Sequence, residues 1–224
     1  MISDSDIIYE DNHLIAVNKK AGQIVQGDKT GDTPLSELVK QFIKNKYNKP
    51  GDVYLGVPHR LDRPVSGVIV FAKTSKALTR VNDIFKNKNA KKKYWAIISN
   101  CPPKDEDTLE GYIFRNTKKN KSFIRKENDP ETKFASLSYK IIKRSERYYL
   151  IEIDLHTGRH HQIRCQLEDI GCPIRGDLKY GFVRANKNAG INLHAVEISF
   201  IHPVKKEPIV IKAPLPNEKI WEVF

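Results

Sequence analysis

Two runs near the middle of the chain alternate apolar and polar side chains. Ala135, Leu137, Tyr139 and Ile141 are the apolar set of the first, and Tyr149, Ile151, Ile153 and Leu155 that of the second. A period of two sends successive side chains to opposite faces, so both runs fit strands with one buried face. The polar stretch Lys143-Arg144-Ser145-Glu146-Arg147 between them is a hairpin turn joining antiparallel strands. Ile7-Ile8-Tyr9 and Leu14-Ile15-Ala16-Val17, separated by Glu10-Asp11-Asn12-His13, predict a second hairpin. Val68–Ala72, Tyr94–Ser99, Val196–Ile201 and Ile209–Ile211 supply further strands, the first of them buried on both faces.

Helical spacing appears in three places. Leu35, Leu38, Val39 and Phe42 predict a helix capped by Asp32 or Thr33, and Ala77, Leu78, Val81, Ile84 and Phe85 one capped by Ser75. Ile163, Leu167 and Ile170 predict a short helix closed by Gly171. Strands outnumber helices and pair mostly with neighbours in sequence, so the expected class is α+β, a mixed, largely antiparallel sheet with flanking helices. No repeat or long linker divides the chain, and residues 1–224 are expected to form a single domain.

The net charge of +12 is concentrated. Lys86, Lys88, Lys91, Lys92 and Lys93 form one window without an acid, and Arg115, Lys118, Lys119, Lys121, Arg125 and Lys126 another, so eleven of the twelve net charges lie there. Such a footprint suits nucleic acid or an anionic membrane surface, and equally a solvated lysine-rich face; charge does not separate these. The longest apolar run, Val68-Ile69-Val70-Phe71-Ala72, is too short to span a bilayer. The acidic N-terminus lacks the basic and apolar regions of a secretory signal, which points to the cytoplasm. Cys101, Cys165 and Cys172 contain no CxxC pair, so reduced thiols are expected rather than disulfides or a zinc site.

Three segments carry chemistry. In His59-Arg60-Leu61-Asp62-Arg63-Pro64-Val65-Ser66-Gly67 two arginines flank a carboxylate, in a tight loop before the buried strand. The arginines would hold Asp62 ionised, as a nucleophile or base requires; the alternative is an Asp completing a turn and pairing with a nearby Arg. Asp154-Leu155-His156-Thr157-Gly158-Arg159-His160-His161-Gln162-Ile163-Arg164 has the residue types of a metal site. Adjacent His160 and His161 diverge on a regular helix or strand, however, and the arginines repel a cation, so phosphate and base edges fit better. Tyr94 and Trp95 follow the first lysine window, an arrangement suited to stacking on an unpaired base; at least one of the two must face the core.

Together these segments resemble the RluA-type family of RNA pseudouridine synthases. The likeness runs through Tyr9-Glu10-Asp11-Asn12-His13-Leu14, Val17-Asn18-Lys19, the His59–Gly67 element, Lys92-Lys93-Tyr94-Trp95-Ala96 and Thr157–Arg164. It continues through Gly171-Cys172-Pro173-Ile174-Arg175-Gly176-Asp177, Tyr180-Gly181, Leu193-His194-Ala195 and His202-Pro203. The resemblance implies the pseudouridine synthase fold with a central catalytic cleft, and a reaction using neither cofactor nor metal. A uridine of rRNA or tRNA is flipped out of its stack. Asp62 acts at C1′ of the ribose, by adding to it or by initiating glycal formation, and the base turns over to bond through C5. Tyr94 matches the active-site tyrosine that packs on the base, and Arg164 the arginine that pairs with the catalytic carboxylate. His59, Arg60, Arg63, Arg159, His161, Gln162, Lys92 and Lys93 are the expected RNA-contacting or supporting residues, and the partner is RNA, with no membrane and no obligate protein partner evident.

Three features depart from the family pattern. Lys20 stands where proline is usual, which bears on that turn's rigidity. Cys165-Gln166 replaces an apolar residue and a histidine. The motifs begin within ten residues of Met1, which leaves no room for an N-terminal S4-type domain, so a stand-alone catalytic domain is expected. Two other classes remain as alternatives, an idle RNA-binding module on the same fold and a metal-dependent nuclease built on His156, His160 and His161.

Overall fold

The computed structural model describes residues 2–28, 30–125 and 129–224, so Lys126 of the second basic window lies outside the described residues. In chain order they form β1 (Ile7–Glu10), β2 (Leu14–Lys19), α1 (Leu35–Lys46), β3 (Ser66–Ala72), α2 (Ser75–Lys86), β4 (Ala90–Ile98), β5 (Glu106–Asn116) and β6 (Lys121–Arg125). Then follow β7 (Thr132–Arg144), β8 (Tyr149–Leu155), α3 (Gln162–Asp169), β9 (Leu193–Ile201), β10 (Pro208–Lys212) and α4 (Lys219–Glu222). The strands group into two compact units, Met1–Ala90 with Ala195–Leu215, and Lys91–His194 with Pro216–Phe224. The class is α+β, with largely antiparallel pairing, as the alternation predicts.

In the first unit β1 and β2 form the expected hairpin. Asp11 closes its turn by accepting the N–H groups of His13 and Leu14, both at 2.8 Å. β2 pairs antiparallel with β3 from Leu14 opposite Ala72 to Lys19 opposite Gly67. All seven residues of β3 are buried, which makes it the rigid base of the loop before it. β3 also neighbours β9, and β9 pairs antiparallel with β10. Both helix starts differ from the sequence expectation by a residue or more. α1 is capped at Pro34 with no side chain, because the carbonyls of Ile24 and Val25 accept the N–H groups of Leu35 and Ser36 at 2.7 and 3.2 Å. For α2 the cap is Thr74 rather than Ser75, its Oγ1 accepting from the Ala77 N–H at 3.1 Å.

The second unit is an antiparallel sheet in the order β4-β8-β7-β5-β6. The β7–β8 hairpin matches the alternating runs, with a bulge between Ile141 and Lys143. β5 and β6 are strands that the apolar pattern did not indicate, because of their sixteen positions only Ile113 and Ser122 are fully buried. The basic residues from Arg115 to Arg125 therefore lie in a β-hairpin. β4 begins four residues earlier than expected, so Lys91, Lys92 and Lys93 belong to the strand. α4 returns Trp221 to the sheet beside Ile97 and Leu150. Burying an indole of that kind contributes on the order of 3 kcal/mol. No described helix is long and apolar enough to cross a membrane.

Candidate active site

Asp62 lies half-buried in the loop entering β3. Beneath the loop is Lys19, the last residue of β2 and fully buried. Its Nζ donates to the carbonyls of Val65 at 2.6 Å, Arg63 at 3.1 Å, and Asp62 and Lys20 at 3.2 Å each. An ammonium carries three N–H groups, so four oxygens share them and gather around the charge as around a bound cation. Burial pushes the Lys19 ammonium down to about 7, opposed by the negative charge of Asp62. The Val65 N–H donates to the Asp62 carbonyl at 3.0 Å and the Gly22 N–H to that of Arg63 at 2.8 Å, closing the turn.

The flanking arginines do not act as a matched pair about Asp62. Arg63 directs its guanidinium to Asp32 at 2.7 Å, with both side chains about half exposed, and Arg60 is exposed. His59 faces inward instead: its Nε2 accepts the Val70 N–H at 2.9 Å and its ring meets Phe85 edge-on at 5.1 Å. Lys19 enters the sequence reading only within Val17-Asn18-Lys19, with no role of its own. Its signal is a lysine two residues beyond the apolar run Leu14–Val17, at the end of the same strand.

Tyr94 is the buried member of the Tyr94-Trp95 pair, opposite Ile153 of β8. On the other face of β4, Trp95 Nε1 and Lys93 Nζ donate to the two oxygens of Glu152 at 3.1 and 2.7 Å. Lys92 is half-buried, and burial lowers its pKa. Lys92 and Lys93 of this window are thus partly withdrawn into the protein, whereas Lys86, Lys88 and Lys91 are exposed.

After β8 the chain turns through His156–His161 into α3. Gln162, buried, organises the turn: its Oε1 accepts from Thr157 Oγ1 at 2.7 Å and the Arg159 N–H at 3.0 Å, and its Nε2 donates to Ser136 O and Gln166 Oε1. Arg159 is exposed, with its Nε bonded to the Phe134 carbonyl at 2.8 Å. His160 and His161 do not diverge. They stack with centroids 3.7 Å apart, because His161 adopts φ 53° and so leaves both regular geometries.

The three histidines have separate partners. His156 Nδ1 lies 3.0 Å from Ser136 Oγ and His160 Nδ1 2.9 Å from Ser122 Oγ. His161 Nδ1 lies 2.9 Å from the Tyr180 hydroxyl, which also accepts the Ser122 N–H at 2.8 Å. Burial pushes His161 down to about 2, so the ring beside the Tyr180 hydroxyl is neutral. Among the described residues no three His, Cys, Asp or Glu side chains are grouped to hold a metal. The cysteines are free thiols, and burial raises Cys165 to about 12 and Cys172 to about 11.

Arg164, in the first turn of α3, is buried and forks onto the buried Asp177, Nε to Oδ2 at 2.7 Å and Nη2 to Oδ1 at 2.8 Å. The Tyr180 ring lies 4.9 Å from the guanidinium carbon. This pairing uses two of five guanidinium N–H groups and fixes the plane of the fork. The segment that carries Asp177 is tied to β4, since the Arg175 N–H donates to the Ile97 carbonyl at 2.8 Å and Ile174 bridges Ile98. One backbone frame therefore sets both Tyr94 and Arg164. Asp177 appears in the sequence only as part of a longer motif, and its function as anchor becomes visible once its partner is known.

Residues 13–169 match the sequence profile of the RNA pseudouridylate synthase family. The chain belongs to the RluA-type RNA pseudouridine synthases. As a member of that family it is an isomerase acting on RNA. A ribosomal large subunit pseudouridine synthase C of Buchnera aphidicola is 33% identical over 96% of this chain and 68% of its own length. A tRNA pseudouridine synthase C of Vibrio cholerae is 31% identical over 97% of this chain and 93% of its own. Among solved structures, the human RNA pseudouridylate synthase domain containing 4 superposes with a TM-score of 0.80 at 22% identity, covering 95% of this chain and 89% of that one, a likeness of fold.

Proposed function

We propose that this synthase converts a specific uridine of ribosomal or transfer RNA to pseudouridine, with Asp62 as the catalytic carboxylate, and that it works as one catalytic domain in the cytoplasm. The reaction balances within the substrate. The C1′–N1 bond breaks, C1′ bonds to C5, C5 loses its proton and N1 gains one, with no oxidant, reductant or cofactor required. Asp62 acts at C1′ of a uridine flipped from its stack. Tyr94 packs on the turning base, and Arg164 matches the arginine that the family resemblance assigns to the catalytic carboxylate. Arg60 and Arg159, both exposed, suit phosphate contacts, with Lys92 adding to the local field and Arg63 and Lys93, paired with Asp32 and Glu152, supporting the loop and strand that carry them. His59, His161 and Gln162 support the loops that carry these residues.

The observation that carries this reading is the loop of Asp62, set on a fully buried strand and gathered by the buried ammonium of Lys19. A carboxylate so fixed needs little reorganisation on meeting its substrate. The test uses RNA from cells that lack the gene, labelled with uridine tritiated at C5. Wild-type protein is expected to release tritium to water and create pseudouridine at mappable sites. Asp62→Asn is expected to release none while binding RNA within a few-fold of wild type, since one anion is lost and no phosphate contact. RNA binding without tritium release by the wild type would indicate an idle binding module. Cleaved RNA whose formation stops with a chelator would indicate a nuclease.

A further inference from the structure

The β5–β6 hairpin presents a surface that the proposed reaction does not use. Its register sets Phe114 opposite Phe123 and Tyr112 opposite Arg125, and across the next ladder Tyr112 stands opposite Phe134 of β7. Directly paired residues share a face. Tyr112, Phe114, Phe123 and Phe134 therefore stand on one side of three neighbouring strands, β6 being the last in the order. None of the four is fully buried, and Phe134 is 41% exposed. Tyr112 and Phe134 meet edge to face at 5.9 Å. The Arg125 guanidinium lies 5.3 Å from the Phe114 ring centre, and the Lys121 ammonium the same distance from that of Phe123. A groove of about 330 Å³ runs beside them, lined by Phe114, Asn116, Lys119, Phe123, Ile124 and Arg125.

Several rings left in contact with water on one face mark an interaction surface. Charge selects the occupant. From Arg115 to Arg125 the hairpin has five cations and no acid of its own, although Lys121 lies 3.6 Å from Glu168 of α3, and the acids of β5, Glu106, Asp107 and Glu110, lie toward its other end. A second copy docked on this face would bring like charges together. An unpaired nucleic acid strand satisfies both features, because bases stack on the rings while phosphates meet the cations.

We propose that this face is a stacking platform for at least one unpaired nucleotide of the RNA, additional to the target uridine. It rests on RNA being the substrate, as proposed above, and not on the identity of the catalytic residue. The test measures binding of a short fluorescent oligoadenylate at fixed ionic strength. Phe114→Leu and Phe123→Leu keep apolar volume and charge but remove the ring, and each is expected to weaken binding about ten-fold, the loss of one base stack. Should either leucine variant fail to fold, Phe123→Trp replaces it, with an indole emission that unlabelled oligoadenylate should quench beyond any change in wild type. Unchanged affinity in folded leucine variants, no added quenching of the tryptophan variant at saturation, or equal binding of inorganic polyphosphate would overturn the platform. Tritium release by wild type separates the two claims: a failed platform with intact release leaves the synthase reading standing, and no release refutes that reading whatever oligoadenylate does.

Discussion

A buried guanidinium cannot lose its charge, so whatever pairs with it decides where it points. Arg164 is held this way by Asp177, with both side chains nearly inaccessible. Asp177→Asn keeps the shape and removes the charge. It is expected to lower stability by about 3 kcal/mol, as for other broken buried pairs, and to reduce the rate of tritium release at least ten-fold with little change in RNA affinity. Urea titration and single-turnover release check the two parts. Arg164→Met combined with Asp177→Leu should recover much of the stability and none of the activity.

His161 makes a second residue-scale expectation, with a definite sign. Its folded pKa is pushed to about 2 from an ordinary 6.5. Below pH 6.5 the unfolded chain takes up a proton that the folded one refuses, so stability falls as pH falls. The slope is up to about 1.4 kcal/mol per pH unit for one such group. Burial also lowers His202, which adds in the same direction. Urea midpoints measured from pH 7 to pH 5 should decline, and less steeply in His161→Asn, which keeps a residue tolerant of positive φ.

Among the elements, β3 places Asp62, and Gly67 lets β3 approach its neighbour. Gly67 has φ +117°, and a Cβ there would lie 2.3 Å from the Ala195 carbonyl oxygen, a backbone atom that cannot step aside. Gly67→Ala is expected to cost at least about 3 kcal/mol. Gly51→Ala, with open space around it, should change the urea midpoint by less than about 1 kcal/mol equivalent. Elements that bury a continuous or alternating apolar face were legible in the sequence: the β1–β2 and β7–β8 hairpins, β3 and α3. β5 and β6 were not, because their rings and cations leave both faces partly in water and no period emerges. The start of α1 was obscured for another reason. Its first N–H groups are satisfied by the carbonyls of Ile24 and Val25, which no local capping pattern reveals.

Over the whole molecule, the excess of positive charge is smaller as an RNA surface than the count suggests. Lys93 is committed to Glu152, Lys19 to backbone carbonyls, and Lys121 lies 3.6 Å from Glu168. Lys118 and Lys119, exposed in the β5–β6 turn, are among the cations available to phosphate. Binding of single-stranded RNA should therefore weaken with salt, with a log–log slope of about −0.7 per phosphate neutralised. Lys118→Gln should reduce that slope by close to one such increment, and Lys93→Gln by less.

The α+β class follows from period and spacing, which are local properties of a chain, and the family, with the match of Asp62, Tyr94 and Arg164 to its motifs, from the resemblance those motifs carry. Which charges remain for RNA, and what holds each catalytic candidate, follow from folding. Lys19 meets Val65 from 46 positions away, and Arg164 meets Asp177 across 13. Such pairings depend on strand register and on burial, which removes competing water, and neither exists until the sheet has assembled.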